Sequence, residues 1–223
     1  MAEILSLTKT IMEVNNSRFY KLKWFWNILS NGLFLFGVRN RLARMGLDFD
    51  PYYWVLEGNM DYEAPKIKGD DKDYEVIELS LEEIKGIRLK IVGNLPNSGV
   101  PILNDQQKGI GLINKGQIAA FMLIELNDFY YHKRKISLKE NEAYLFHMYT
   151  FEEHRGKNLA PFLRYHSYIM LKEIGKDKIY SITQYFNKSS KNFKKKLKAK
   201  NILLYINISL FGKYQTFKLL KKY

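Results

Sequence analysis

From Tyr74 onward, apolar runs of strand length alternate with amphipathic runs of helix length, and that alternation limits the possible folds more than any other feature. YEVIELS, Tyr74 to Ser80, reads as a strand. SLEEIKGIRLKIVGNL follows as a helix in which Ser80 stands at the cap and Glu83, three residues on, completes a capping box. KGIGLINKGQIAAFMLIEL is two apolar runs joined at Asn114-Lys115-Gly116, a hairpin signal. A third strand, Ala143 to Thr150, runs toward a helical segment from Ala160 to Ile174, which has Pro161 in its first turn and Gly175 as its stop. KIYSITQYF, NKSSKNFKKKLKAK and ILLYINISLF read as strand, basic helix and strand. The order predicts an α/β protein with a mixed sheet flanked by helices, antiparallel at the hairpin and crossing over at the helices.

The N-terminal part follows another pattern. Residues up to about Asp61 read as mainly helical, with Gly46 and DFDPYYW as the closing turn, and DYEAPKIKGDDKD reads as a linker. The expected division is a helical extension over 1–61, a linker over 62–73 and the main domain over 74–223. WFWNILSNGLFLFGV, from Trp24 to Val38, is too short and too interrupted by Asn27, Ser30 and Asn31 to span a bilayer. With its flanking Lys and Arg, the stretch 18–45 suits either peripheral attachment at an inner membrane surface or packing on the main domain. The first residues lack the pattern of a signal peptide, and a cytoplasmic location is expected.

The chain has no cysteine, which excludes disulfides, thiol nucleophiles and Cys-based zinc sites. Its four histidines show no metal-ligand spacing, so no metal is expected. The net charge of +13 is concentrated after Asp177, beyond which no acidic residue occurs and twelve lysines follow. Such a face favours a polyanion, whether nucleic acid, anionic lipid or a phosphorylated small molecule, or is simply solvated.

The junction YTFEEHRGKNLAPFL carries the chemistry. A helix that starts directly after a strand leaves its first N–H groups unpaired and concentrates partial positive charge there. Arg155 and Lys157 add charge, and Gly156 permits close approach. Because Pro161 has no N–H, the donors to an anion come from Gly156, Lys157, Asn158, Leu159 and Ala160. No GxxxxGK[ST], complete GxGxxG, GxSxG or HExxH motif competes for the role.

This stretch resembles the acyl-CoA-binding motif of the GNAT superfamily of N-acyltransferases, with Arg155, Asn158 and Ala160 in its fixed places and Asn158 departing from the central glycine. The resemblance runs from about Tyr74 to Phe211. It implies a sheet that splays between the family's fourth and fifth strands, with acetyl-CoA as acyl donor. Tyr149 and Thr150 would then hold the pantetheine arm, 155–160 the diphosphate, and Asn187 with Ser190 the far side of the arm. Counting back from Arg155, the family's site-facing positions fall on Tyr144 and Phe146, placing His147 on the other face unless a bulge intervenes. Tyr144 and His147 are the catalytic candidates, with Glu125 and Glu142 as further bases. The family's tyrosine acid would fall near Lys194, which cannot act in the same way, leaving Tyr185 or Tyr205. The favoured acceptor is a small-molecule or glycan amine, such as an amino sugar, and not nucleic acid. The rival is a non-catalytic basic module that binds nucleic acid or anionic membrane.

Overall fold

The computed structural model describes residues 33–69, 72–92 and 107–223. Helix α1 (Leu33–Arg44) turns at Gly46 into β1 (Leu47–Glu57). After β2 (Tyr74–Leu79) and α2 (Leu81–Val92) come β3 (Gln107–Asn114) and β4 (Gln117–Glu125), then the short strands β5 (Phe129–Tyr131) and β6 (Arg134–Ile136). The chain continues as β7 (Glu142–Thr150), α3 (Leu159–Glu173), β8 (Lys178–Gln184), α4 (Lys188–Lys196), β9 (Lys200–Leu210) and β10 (Tyr214–Lys222).

Local chemistry accounts for the boundaries. The Glu83 amide donates to Ser80 Oγ at 3.2 Å, and the Ser80 amide returns a bond to the Glu83 carboxylate at 2.7 Å, so α2 starts with the expected capping box. Lys115 and Gly116 both have positive φ, 49° and 75°, which matches the right-handed twist of the β3–β4 hairpin. Gly109 and Gly111 face a different demand: a Cβ on either would lie 2.5 Å from Ile84 Cδ1 or 2.7 Å from Leu79 Cδ2. Glycine therefore lets α2 and the end of β2 close down on β3.

Eight strands form one mixed sheet in the order β10-β9-β1-β8-β7-β4-β3-β2, and β5 and β6 form a separate two-stranded ribbon. One face packs Leu112, Ala120, Met122, Ile124 and Leu145 beneath Leu159, Leu163, Tyr168 and Leu171 of α3. On the other face Phe121 and Leu123 meet Leu79, Ile84 and Ile87. Among the described residues only β7 and β8 are parallel neighbours, joined across α3, so the mixed sheet with crossover helices expected from the sequence is present.

The N-terminal reading needs correction. DFDPYYW is not a turn but part of β1, which lies inside the sheet and pairs antiparallel with both β8 and β9. Pro51 and the alternating aspartates mask the strand in the sequence, because acidic residues and proline are poor strand formers. Asp50 is nevertheless buried, its carboxylate held by Arg39 (3.2 Å), His132 Nε2 (2.7 Å) and the Tyr131 hydroxyl (3.2 Å). Of the proposed membrane stretch, residues 18–32 lie outside the described residues. The rest is largely α1, whose Arg39 also bonds Asp48. Among the described residues no helix is long and apolar enough to cross a membrane. The described part of the supposed linker is a strap packed on the main domain: the Lys68 amide donates to the Lys157 carbonyl at 2.9 Å, and Ile67 is buried in the core.

Candidate active site

Strands β7 and β8 pair over only three positions, Glu142 with Lys178, Ala143 with Ile179 and Tyr144 with Tyr180. Beyond them the strands diverge, so from Leu145 to Thr150 the β7 edge facing β8 has no strand partner among the described residues. Unpaired backbone donors and acceptors along an edge attract an extended polar chain. The gap opens into a cleft of about 720 Å³, lined by β7 from Leu145 to Thr150, by Ile182, by the start of α3 and by α4.

At the mouth of the cleft the chain turns from β7 into α3. Gly156 (φ 80°) and Asn158 (φ 66°, ψ 23°) are both left-handed, a conformation that asparagine tolerates better than most residues. This geometry directs successive amides to one side. Among the described residues, the Gly156, Lys157 and Asn158 amides donate to no backbone carbonyl in the turn. The Asn158 side chain braces the loop from outside, donating to the Lys66 carbonyl (2.9 Å) and accepting from Lys196 Nζ (3.2 Å). Arg155 folds back so that Nε donates to the Thr150 carbonyl (3.2 Å), with its guanidinium 5.8 Å from the Tyr149 ring centre. The turn joins unpaired amides, a helix start and a guanidinium, which is what an anionic phosphate group requires.

A bulge sits halfway along β7. Leu123 opposes Phe146 and Phe121 opposes Tyr149, so His147 and Met148 share one partner position, and His147 takes φ 52°. The extra residue overturns the simple alternation by which His147 faced away from Tyr144 and Phe146. Its ring lies 6.0 Å from that of Phe121, on the α2 face with Phe146 and Tyr149, and it lines the cleft. Burial lowers the His147 pKa, keeping the imidazole neutral at pH 7.

Of the residues singled out in the sequence, His147, Tyr149, Thr150, Arg155, Gly156, Asn158, Leu159, Ala160, Asn187 and Ser190 all line this cleft. Asn187 also caps α4 by accepting from the Ser190 amide at 2.9 Å. Two residues behave differently. The Lys157 ammonium reaches the Tyr74 hydroxyl (3.5 Å), leaving its backbone as its share of the turn. Tyr144 is buried between Trp54 and Phe129, ring centres 5.8 and 4.2 Å away, and burial pushes its hydroxyl far above the usual range. It is part of the packing behind the cleft. Glu125 and Glu142, the further candidate bases, do not line the cleft; both are buried and accept from the Leu126 and Lys139 amides. Tyr185 stacks on Tyr53, and Tyr205 lies beneath the Arg134 guanidinium.

Sequence reasoning missed a buried polar cluster at the back of the cleft. Glu57, at the end of β1, accepts two bonds from Arg164 of α3 (2.8 Å each), one from the Tyr168 hydroxyl (2.5 Å) and one from the Ser181 hydroxyl. Lys194 of α4 lies 3.4 Å from the same carboxylate. The one available signal was Arg164, the lone arginine of α3, set one residue after the apolar Leu163.

The splayed mixed sheet, the bulged strand and the left-handed, amide-rich turn into α3 together define the class: the chain has the fold of the GNAT acyl-CoA N-acyltransferases. No family model and no curated protein matches the sequence. Among solved structures, a GNAT-family protein from Novosphingobium aromaticivorans aligns with TM-score 0.51 and 15% identity, over 79% of this chain and 69% of that one. A Drosophila protein aligns with TM-score 0.50 and 14% identity, over 81% of this chain and 58% of its own.

Proposed function

We propose that the chain transfers an acyl group, acetyl in the simplest case, from acyl-CoA directly to an amine. The observation that carries this reading is the convergence, in one cleft, of an unpaired strand edge for an extended pantetheine arm and an amide-rich turn for a diphosphate. Tyr149 and Thr150 flank the arm on β7, with Asn187 and Ser190 opposite, and the turn from Arg155 to Ala160 receives the phosphates. A thioester at the closed end of the cleft lies beside the bulge, where a β7 amide freed from the ladder supports its oxyanion. His147, neutral and lining the cleft, is the base we favour for the attacking amine.

We favour a small-molecule or glycan amine, such as an amino sugar, as the acceptor, because Phe146, His147 and Tyr149 give the cleft an aromatic wall against which a sugar ring packs.

The test is a thermal-shift titration. At about a hundredfold excess over Kd, acetyl-CoA adds about 2.7 kcal/mol. At about 2–4 °C per kcal/mol this raises the melting temperature by about 5–11 °C. Arg155→Ala removes most of that shift. Binding to DNA, RNA or anionic vesicles that falls steeply with salt and ignores acetyl-CoA would establish the basic-module alternative instead.

A further inference from the structure

The cluster behind the cleft holds more positive charge than it needs. Its single carboxylate, Glu57, is matched by the two-point contact of Arg164, yet Lys194 is buried beside them. Among the described residues no second carboxylate pairs with either cation. A buried cation without its own counter-ion is unfavourable unless something that binds there supplies negative charge. Lys194 lines the cleft, as does Ile182 of β8, just past the point where β7 and β8 part. Its Nζ donates to Ser181 Oγ and Thr183 Oγ1, both at 2.5 Å, and to the Ile182 carbonyl at 3.2 Å. The last bond is the longest of the three and the easiest to exchange.

Resting on the acyl-CoA reading, and reversing the sequence expectation that a lysine here could not take the acid's part and that Tyr185 or Tyr205 would, neither of which lines the cleft, we propose that Lys194 is the acid that protonates the departing thiolate. The amine nitrogen bonds to the thioester carbonyl carbon, and the carbon–sulfur bond breaks with its electron pair on sulfur. Nζ then gives that sulfur a proton in exchange for its bond to Ile182. The attacking amine loses its own proton to His147 or water, and solvent reprotonates Lys194. Glu57 positions the ammonium, with Arg164 and Tyr168 on α3, Ser181 and Thr183 on β8 and Tyr144 on β7 as the other charged or polar groups around it. Burial pulls the Lys194 pKa down to about 8, against the opposing pull of Glu57. That lies close to the ~8.5 of an ordinary thiol, a good match for proton transfer between them.

The experiment needs no acceptor. Free coenzyme A is bound to the full chain, and its thiol is titrated by thiolate ultraviolet absorbance. In the wild type the bound thiol ionises about one pH unit or more below the free thiol, giving roughly tenfold more thiolate at neutral pH. Lys194→Met, shown by thermal shift to bind coenzyme A still, loses that displacement, whereas Lys194→Arg keeps the charge and retains part of it. Bound coenzyme A with an unshifted thiol in the wild type overturns this inference alone, even if Lys194→Met fails to fold. No binding of coenzyme A overturns the acyl-CoA reading and this inference with it.

Discussion

Replacing Glu57 by glutamine tests what fastens β1 into the middle of the sheet. The substitution changes few atoms but removes the only negative charge, among the described residues, in a cluster that buries Arg164 and Lys194. Removing one partner of a buried ion pair, which leaves the other charge uncompensated, costs about 3–5 kcal/mol. For a chain of this size that lowers the melting temperature by about 6–20 °C, at roughly 2–4 °C per kcal/mol. Urea unfolding gives the same loss directly. A second variant, Glu57→Leu combined with Arg164→Met and Lys194→Met, recovers part of the loss, because apolar side chains of similar volume avoid the desolvation of all three ions. The pH dependence supplies a sign. Burial by itself would raise the Glu57 carboxyl, but Arg164 and Lys194, with hydrogen bonds from Arg164 and Ser181, hold it far below the usual carboxylate range. A carboxyl depressed in the folded state adds stability above its unfolded pKa and loses it as the pH falls toward the folded one. The gap between wild type and Glu57→Gln is therefore full above about pH 5 and narrows in acid. A Glu57→Gln protein within about 1 kcal/mol of wild type at pH 7 would refute the reasoning, since a cluster so insensitive must be wet.

Two other perturbations test the turn and the bulge. Asn158→Ala costs about 1–3 kcal/mol in urea unfolding, from left-handed strain and the lost brace to Lys66, whereas Asn158→Gly costs about 1 kcal/mol or less; equal costs would mean that the φ of 66° carries no strain. With an acceptor drawn from a panel of amino sugars, the acid limb of transfer falls below the ordinary histidine value of about 6.5, because burial lowers His147. His147→Asn, which tolerates the same backbone, lowers kcat by about 10²–10⁴-fold and removes the limb; an unchanged limb would exclude His147 as the base.

The strand, helix and hairpin pattern from β2 to β9 was legible because each element carries its own period, cap or turn residues, from the Ser80 and Glu83 box to the left-handed pair at Lys115 and Gly116. The turn from Arg155 to Ala160 was legible for the same reason. The phosphate binding proposed there rests on local backbone and nearby charge, both of which lie within six consecutive residues.

Other features depend on distant partners. β1 belongs to the sheet only because β8 and β9 flank it, which overrides the local preferences of Pro51 and its aspartates. The short β5–β6 ribbon and edge strand β10 went unread because they add little burial to mark them. The bulge that turns His147 into the cleft is a mismatch of two residues against one across β4 and β7, which a period-two count along a single strand cannot register. Glu57 and Lys194 are 137 positions apart in the sequence and 3.4 Å apart in the fold. Linear order therefore determined the local elements and the left-handed turn before α3, which short-range hydrogen bonds and backbone preference dictate. Packing alone decided which charges meet in the dark wall of the cleft, because burial and pairing are properties of neighbours that only folding brings together.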